Sequence, residues 1–119
     1  MKRVILPGLL MVVGLLAMGQ AAFAERVGSQ GVNAAMVAPY GCFTYANEWF
    51  YGNAPAAVAV VGDGSTMLEV KVYDENYNVI ASDTGYSCTV TWNPRWTGRF
   101  VIKVCNLGGY YNTFGIATN

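Results

Sequence analysis

The sequence predicts an all-β fold: an antiparallel β-sandwich of about seven short strands that follows a cleaved leader. Three observations carry this expectation. Apolar and polar residues alternate with a period of two in several runs, as where Leu68, Val70 and Val72 interleave with Glu69, Lys71 and Tyr73. Clusters of Gly, Pro, Asn and Asp divide those runs at short intervals. No sustained helical period follows residue 24. A small closed barrel is the alternative architecture.

Residues 1–24 read as a secretory signal peptide. Lys2 and Arg3 precede an apolar run from Val4 to Ala17, and Ala22-Phe23-Ala24 places small residues at the two positions a signal peptidase reads. The run is shorter than the ~20 residues a bilayer requires, and Pro7 and Gly8 interrupt it, so no membrane span is expected in the mature chain. The first cysteine, Cys42, lies too far downstream for lipidation at a new N-terminus. The destination is periplasmic or extracellular.

The 95 residues that follow are enough for one small domain. Residues 25–41 mix Gly, Ser, Gln, Asn and Ala without a period, and are expected to be a poorly ordered N-terminal extension ahead of a β-sandwich domain over residues 42–119. The aromatic run Cys42 to Tyr51 contains the first strand. Gly52-Asn53-Ala54-Pro55 breaks it, and the continuous apolar run Ala56 to Val61 suits a strand buried on both faces. After the turn Gly62 to Ser65, the stretch from Met67 to Asp83 reads as a hairpin closed by D-E-N-Y-N over Asp74 to Asn78, with Val79 to Ser82 as its return strand. A polar loop is expected to Ser87, then a strand Cys88 to Trp92 that Pro94 stops. Phe100, Ile102 and Val104 form the next buried row, and Tyr110 to Thr118 is the closing strand.

Without the leader, five basic side chains face seven acidic ones, which leaves no basic footprint for nucleic acid or for an anionic membrane. Cys42, Cys88 and Cys105 are an odd set for an oxidising compartment, so one disulfide and one remaining thiol are expected. Three pairings are open. Cys88 with Cys105 is the favoured one because both fall on predicted core strands, although Cys105 shares parity with Lys103 on the solvent side while Cys88 shares it with Val90 and Trp92. The chain has no histidine and no C-x-x-C spacing, which argues against a zinc site.

The succession G-D-G-S-T-M-L-E-V-K-V-Y-D-E-N-Y-N-V-I-A-S-D, then T-V-T-W-N-P-R-W-T-G-R-F-V-I-K-V, then N-L-G-G-Y-Y-N-T-F resembles the bacterial pre-peptidase C-terminal domain. The matching parts are Tyr73-Asp74, the turn Asn76 to Asn78, Ala81-Ser82-Asp83, and the corner Pro94 to Phe100. The resemblance spans roughly Gly52 to Asn119 and implies a jelly-roll-like β-sandwich of the kind found beside secreted peptidases. This chain would be a free-standing module. Some relatives bind calcium or a polymer such as collagen through acidic loop residues. Met67 and Glu69 here stand where relatives often carry Asp, and Tyr77 stands where the turn usually has Gly.

Calcium requires about six to eight oxygens at one point. The clustered candidates are Asp63, Asp74, Glu75, Asn76 and Asp83, whose simpler role is turn formation. No other cofactor is implied. Catalysis has little to stand on: Ser65, Ser82 and Ser87 lie in turn-like contexts with no base motif, so a small hydrolase is the weakest reading. Aromatic residues exceed what an alternating core requires, and Trp49, Tyr51, Tyr77, Trp96 and Tyr110 are the candidates for an exposed surface that stacks on a polysaccharide or covers a protein. The reading is an exported, non-catalytic binding or envelope-interaction module. Its rival is a cell-envelope structural protein whose free thiol or open strand edge joins copies together.

Overall fold

The computed structural model describes residues 32–119, which form eight strands in two four-stranded antiparallel sheets. The predicted signal peptide, and residues 25–31 of the predicted extension, lie outside the described residues. The strands are β1 (Val32–Val37), β2 (Cys42–Phe50), β3 (Ala56–Val61), β4 (Leu68–Tyr73), β5 (Val79–Gly85), β6 (Ser87–Trp92), β7 (Gly98–Asn106) and β8 (Asn112–Thr118). One sheet has the order β1-β8-β3-β6 and the other β2-β7-β4-β5. Successive strands alternate between the sheets except at the β4–β5 hairpin, which is the double Greek-key winding of a jelly roll. The expected all-β sandwich is the observed one. No helix of the described residues is long and apolar enough to cross a membrane.

The period-two rows become the core. Leu68, Val70 and Val72 on β4, with Ile102 and Val104 beside them on β7, pack against Val58 and Val60 on β3, Val90 and Trp92 on β6, and Phe114 and Ile116 on β8 of the other sheet. All are buried, and interdigitated apolar side chains of this kind supply the main driving force of folding. The run AAVAVV is buried on both faces, as its unbroken apolarity implies: Ala57 and Ala59 lie outside the core cluster yet are as buried as Val58. Phe50 meets Trp92 and Phe100 edge to face at one end, with Phe50 and Trp92 centroids 5.0 Å apart, and Trp92 and Phe100 are tilted against each other.

Three expectations are corrected. The segment read as a poorly ordered extension contains β1, which pairs with β8 from Val32↔Ala117 to Val37↔Asn112. Its order comes from a ladder to the far end of the chain, and the small run Asn33-Ala34-Ala35 hides its alternation from a local reading. The stretch read as a polar loop after Ser82 continues as strand to Gly85, because its backbone pairs with Leu68 to Val70 on β4. The disulfide is Cys42–Cys105, not Cys88–Cys105. Cys42 stands directly opposite Cys105 in the β2–β7 ladder, both on the outer side of their sheet, whereas Cys88 points into the core and remains a free thiol. The parity of Cys105 with Lys103 already opposed the favoured pairing.

Candidate functional site

An open groove of about 530 Å³ lies at the end of the sandwich where the β4–β5 turn approaches the corner between β6 and β7. Local sequence builds both walls. Asp74 organises the turn: its carboxylate accepts hydrogen bonds from the backbone N–H groups of Asn76 and Asn78, at 2.8 and 3.0 Å, and from the Asn78 side chain. The backbone closes with Tyr77 N–H donating to the Asp74 carbonyl, and Tyr77 takes the left-handed position (φ 62°) that a type I turn with a bulge normally gives to Gly. The carboxyl of Asp74 is held below its usual range, chiefly by the Asn78 N–H.

The opposite wall is the corner Asn93 to Thr97. Pro94 ends β6 and is buried, Gly98 begins β7, and Trp96 between them is 66% exposed. The β2–β3 connection braces this corner from behind. Asn53 N–H donates to the Pro94 carbonyl at 2.7 Å, Gly52 N–H donates to Thr97 Oγ1, and the Cα of Gly52 packs so closely on the Trp96 backbone that a Cβ would collide with it. Trp92 and Phe100 form the buried floor, and the indole nitrogen of Trp92 is buried without a hydrogen-bond partner.

Around Trp96 the groove gathers Asp74, Glu75 and Asn76 on one side and Thr91, Asn93, Arg95 and Arg99 on the other. Arg99 is steadied by a hydrogen bond to Asn47 Oδ1 at 3.3 Å. The chemistry offered is one exposed indole face beside planar donors and acceptors of both signs. That combination can stack on a ring and hydrogen-bond its substituents.

The residues singled out in the sequence divide across the molecule. Trp96 lies in the groove. Trp49, opposite Arg99 in the β2–β7 ladder, and Tyr51 are exposed at the same end but do not line it. Tyr77 belongs to the turn over residues 74–78 but does not line the groove; its ring rests against that of Tyr73 at the end of β4, with centroids 6.2 Å apart. Tyr110 is exposed at the opposite end, between β7 and β8. The five calcium candidates do not converge. Asp74, Glu75 and Asn76 share the groove, while Asp63 lies on the β3–β4 turn at the other end and Asp83 lies on β5. The Asp63 carboxylate accepts from Ser65 and from Thr113 N–H, and that of Asp83 accepts from the N–H groups of Thr84 and Thr89, so these acids cap backbone instead of sharing one point. Among the described residues, no group of three or more acidic or thiol side chains is placed to hold a metal ion. Sequence reasoning assigned no ligand role to Thr91, Asn93 and Ile80, since only folding brings the turn and the corner together.

No family model matches the sequence, and no curated protein matches it. Solved structures do resemble the fold. The Yersinia pseudotuberculosis-derived mitogen superposes with a TM-score of 0.53 at 8% identity, over 76% of this chain and 85% of that one. PliG from Aeromonas hydrophila, a periplasmic inhibitor of g-type lysozyme, superposes with a TM-score of 0.51 at 13% identity, over 76% and 86%. At such identities the likeness is one of fold.

Proposed function

We propose that this chain is an exported, non-catalytic binding module whose groove holds a polysaccharide, with Trp96 as the stacking platform. The observation that carries the reading is the exposed indole of Trp96, set between two guanidinium groups and the polar turn Asp74 to Asn76. Sugar rings present an apolar face to an aromatic plane and hydroxyls to flanking planar side chains, and an open groove admits a chain that continues past both ends. Export is supported by the basic, apolar and small-residue succession of residues 1–24 and by the Cys42–Cys105 disulfide. The resemblance to the pre-peptidase C-terminal domain belongs to the same proposal.

The test is titration of tryptophan fluorescence with neutral, amino-sugar and uronic-acid oligosaccharides. One class should bind, and Trp96→Ala should weaken it at least about tenfold with no change in unfolding midpoint. Binding that survives Trp96→Ala, or the absence of binding across all three classes, overturns the reading.

A second reading, a protein target, is favoured by one observation: Tyr40, Tyr86, Tyr110 and Tyr111 are all well exposed on the loops at the opposite end. Rigid, exposed tyrosines suit a protein interface. The fold likeness to PliG makes lysozyme inhibition the direct assay, with Tyr110→Ala expected to relieve it.

A further inference from the structure

We propose that the outer edge of β1 joins two copies of this chain, each β1 pairing antiparallel with the other about a two-fold axis at Ala35, so that two four-stranded sheets become one of eight.

Two sheets have four outer edges, and three of them carry a device that discourages pairing. On β2 the register with β7 slips between Tyr45 and Glu48, a bulge that bends the edge, and Glu48 sits at the slip. On β5 the register slips again beside Val72 and Tyr73, and Asp83 lies within the strand. The edge of β6 is covered by that same carboxylate, which takes the Thr89 N–H at 3.0 Å. β1 has no bulge and no charged cap; its one local contact is neutral, the Asn33 side chain accepting from the Ala34 N–H at 3.0 Å, a bond between chain neighbours that a ladder partner would replace. Its register with β8 runs unbroken over six residues, and V-N-A-A-M-V contains neither a charge nor a proline. Among the described residues it pairs with β8 alone, so its second row of backbone donors and acceptors faces outward.

A second copy is the occupant that this strand fits. A two-fold axis normal to the sheet keeps both cores on the same side only if a residue opposes itself. With Ala35 opposite Ala35, Met36 of each chain falls opposite Ala34 of the other, so a long flexible side chain meets a small one. Met36 is 59% exposed and Ala34 is exposed, while Ala35 already leans on the core from the inner face. The absence of charge means that self-pairing sets no like charges across the new ladder.

Sedimentation of the chain purified from an exporting host, from low micromolar to near-millimolar concentration, tests the proposal. The wild type should pass from one chain to two. Ala34→Lys with Met36→Lys, which places like charges on the edge at two exposed positions outside the core, should weaken association at least about tenfold while circular dichroism is unchanged. Ser87→Lys with Thr89→Lys, on the covered β6 edge, should leave the dimer intact. A chain that stays monomeric throughout overturns the proposal and leaves β1 to a strand of another protein. Association that the β1 lysines do not weaken, or that both lysine pairs abolish equally, overturns it as well.

Discussion

The Thr66 hydroxyl donates a 2.6 Å hydrogen bond to Asn106 Oδ1, and both side chains are buried beneath the loops opposite the groove. The amide of Asn106 donates in turn to the carbonyls of Val37, Ala38 and Tyr110, and its Oδ1 also accepts from Gly108 N–H. Asn112, wholly buried, donates to Thr66 and accepts from Asp63 N–H. Two asparagines therefore satisfy the backbone of three loops at once, where a buried polar group without a partner would be costly. Asn106→Ala is expected to destabilise the fold by about 2–3 kcal/mol, because the buried Val37 carbonyl, the part-buried carbonyls of Ala38 and Tyr110 and the buried Thr66 hydroxyl lose their partner together. Urea unfolding measures this; a loss below about 0.5 kcal/mol would mean that the loops repair themselves.

The Cys42–Cys105 disulfide spans 63 residues, and a loop of that length restricts the unfolded chain by about 4 kcal/mol in the chain-entropy model. Cys42→Ser with Cys105→Ser should lower stability by roughly that amount and retain the β-sheet spectrum, since this pair ends the β2–β7 ladder, which runs on from Phe43↔Val104 to Phe50↔Gly98 without it. Thermal unfolding with and without reductant gives the comparison.

Cys88 should behave as an inert core thiol. It is 2% exposed, its Sγ–H faces the Leu68 carbonyl, and burial, followed by the nearby Asp83 charge, pushes its pKa up to about 11. Alkylation at pH 8 should leave the native chain unlabelled and add one label on unfolding. Labelling of the folded protein, or a disulfide-linked dimer on a non-reducing gel, would contradict the buried placement.

Gly52→Ala should both destabilise the fold and disturb the groove. The added Cβ would meet the backbone of Trp96 and Thr97, which cannot yield as a side-chain tip can. A cost of about 2–3 kcal/mol is expected, with weaker binding of any Trp96-dependent ligand. Undiminished stability would show that the β2–β3 brace moves freely.

Acid should weaken the loops around Asp63. Partial burial works against its charged form, but the hydrogen bonds from Ser65 and Thr113 outweigh this and hold its carboxyl below the ordinary 3.8. A lowered folded pKa contributes stability above the unfolded value, and that stability is lost as pH falls through the folded one. Asp63→Asn should therefore flatten the fall in unfolding midpoint below pH 3.8 and cost little of the slope above it. An unchanged acid slope would sink this assignment.

The hairpin around Asp74 was legible because each of its signals is local. Alternation on Leu68 to Tyr73 fixed the buried face, and the Asx chemistry of Asp74 and Asn78 fixed the turn. The core rows of β6 and β7 were legible for the same reason. The candidate site was legible at Trp96, named among the surplus aromatics, and at Asp74, Glu75 and Asn76, which were named for calcium and instead share the groove with it.

By itself the sequence determined the fold class and the sidedness of most strands, because period two and turn chemistry act between residues a few positions apart. It also determined that a disulfide would leave one thiol over. Only the tertiary structure decided which cysteine that is, that Val32–Val37 is a strand, and that the Asp74 turn and the Trp96 corner face each other across a groove. Each of those outcomes depends on pairing between segments far apart in the chain, and a ladder partner leaves no mark on the local pattern when the strand is built of alanines or when two cysteines become opposite only through register.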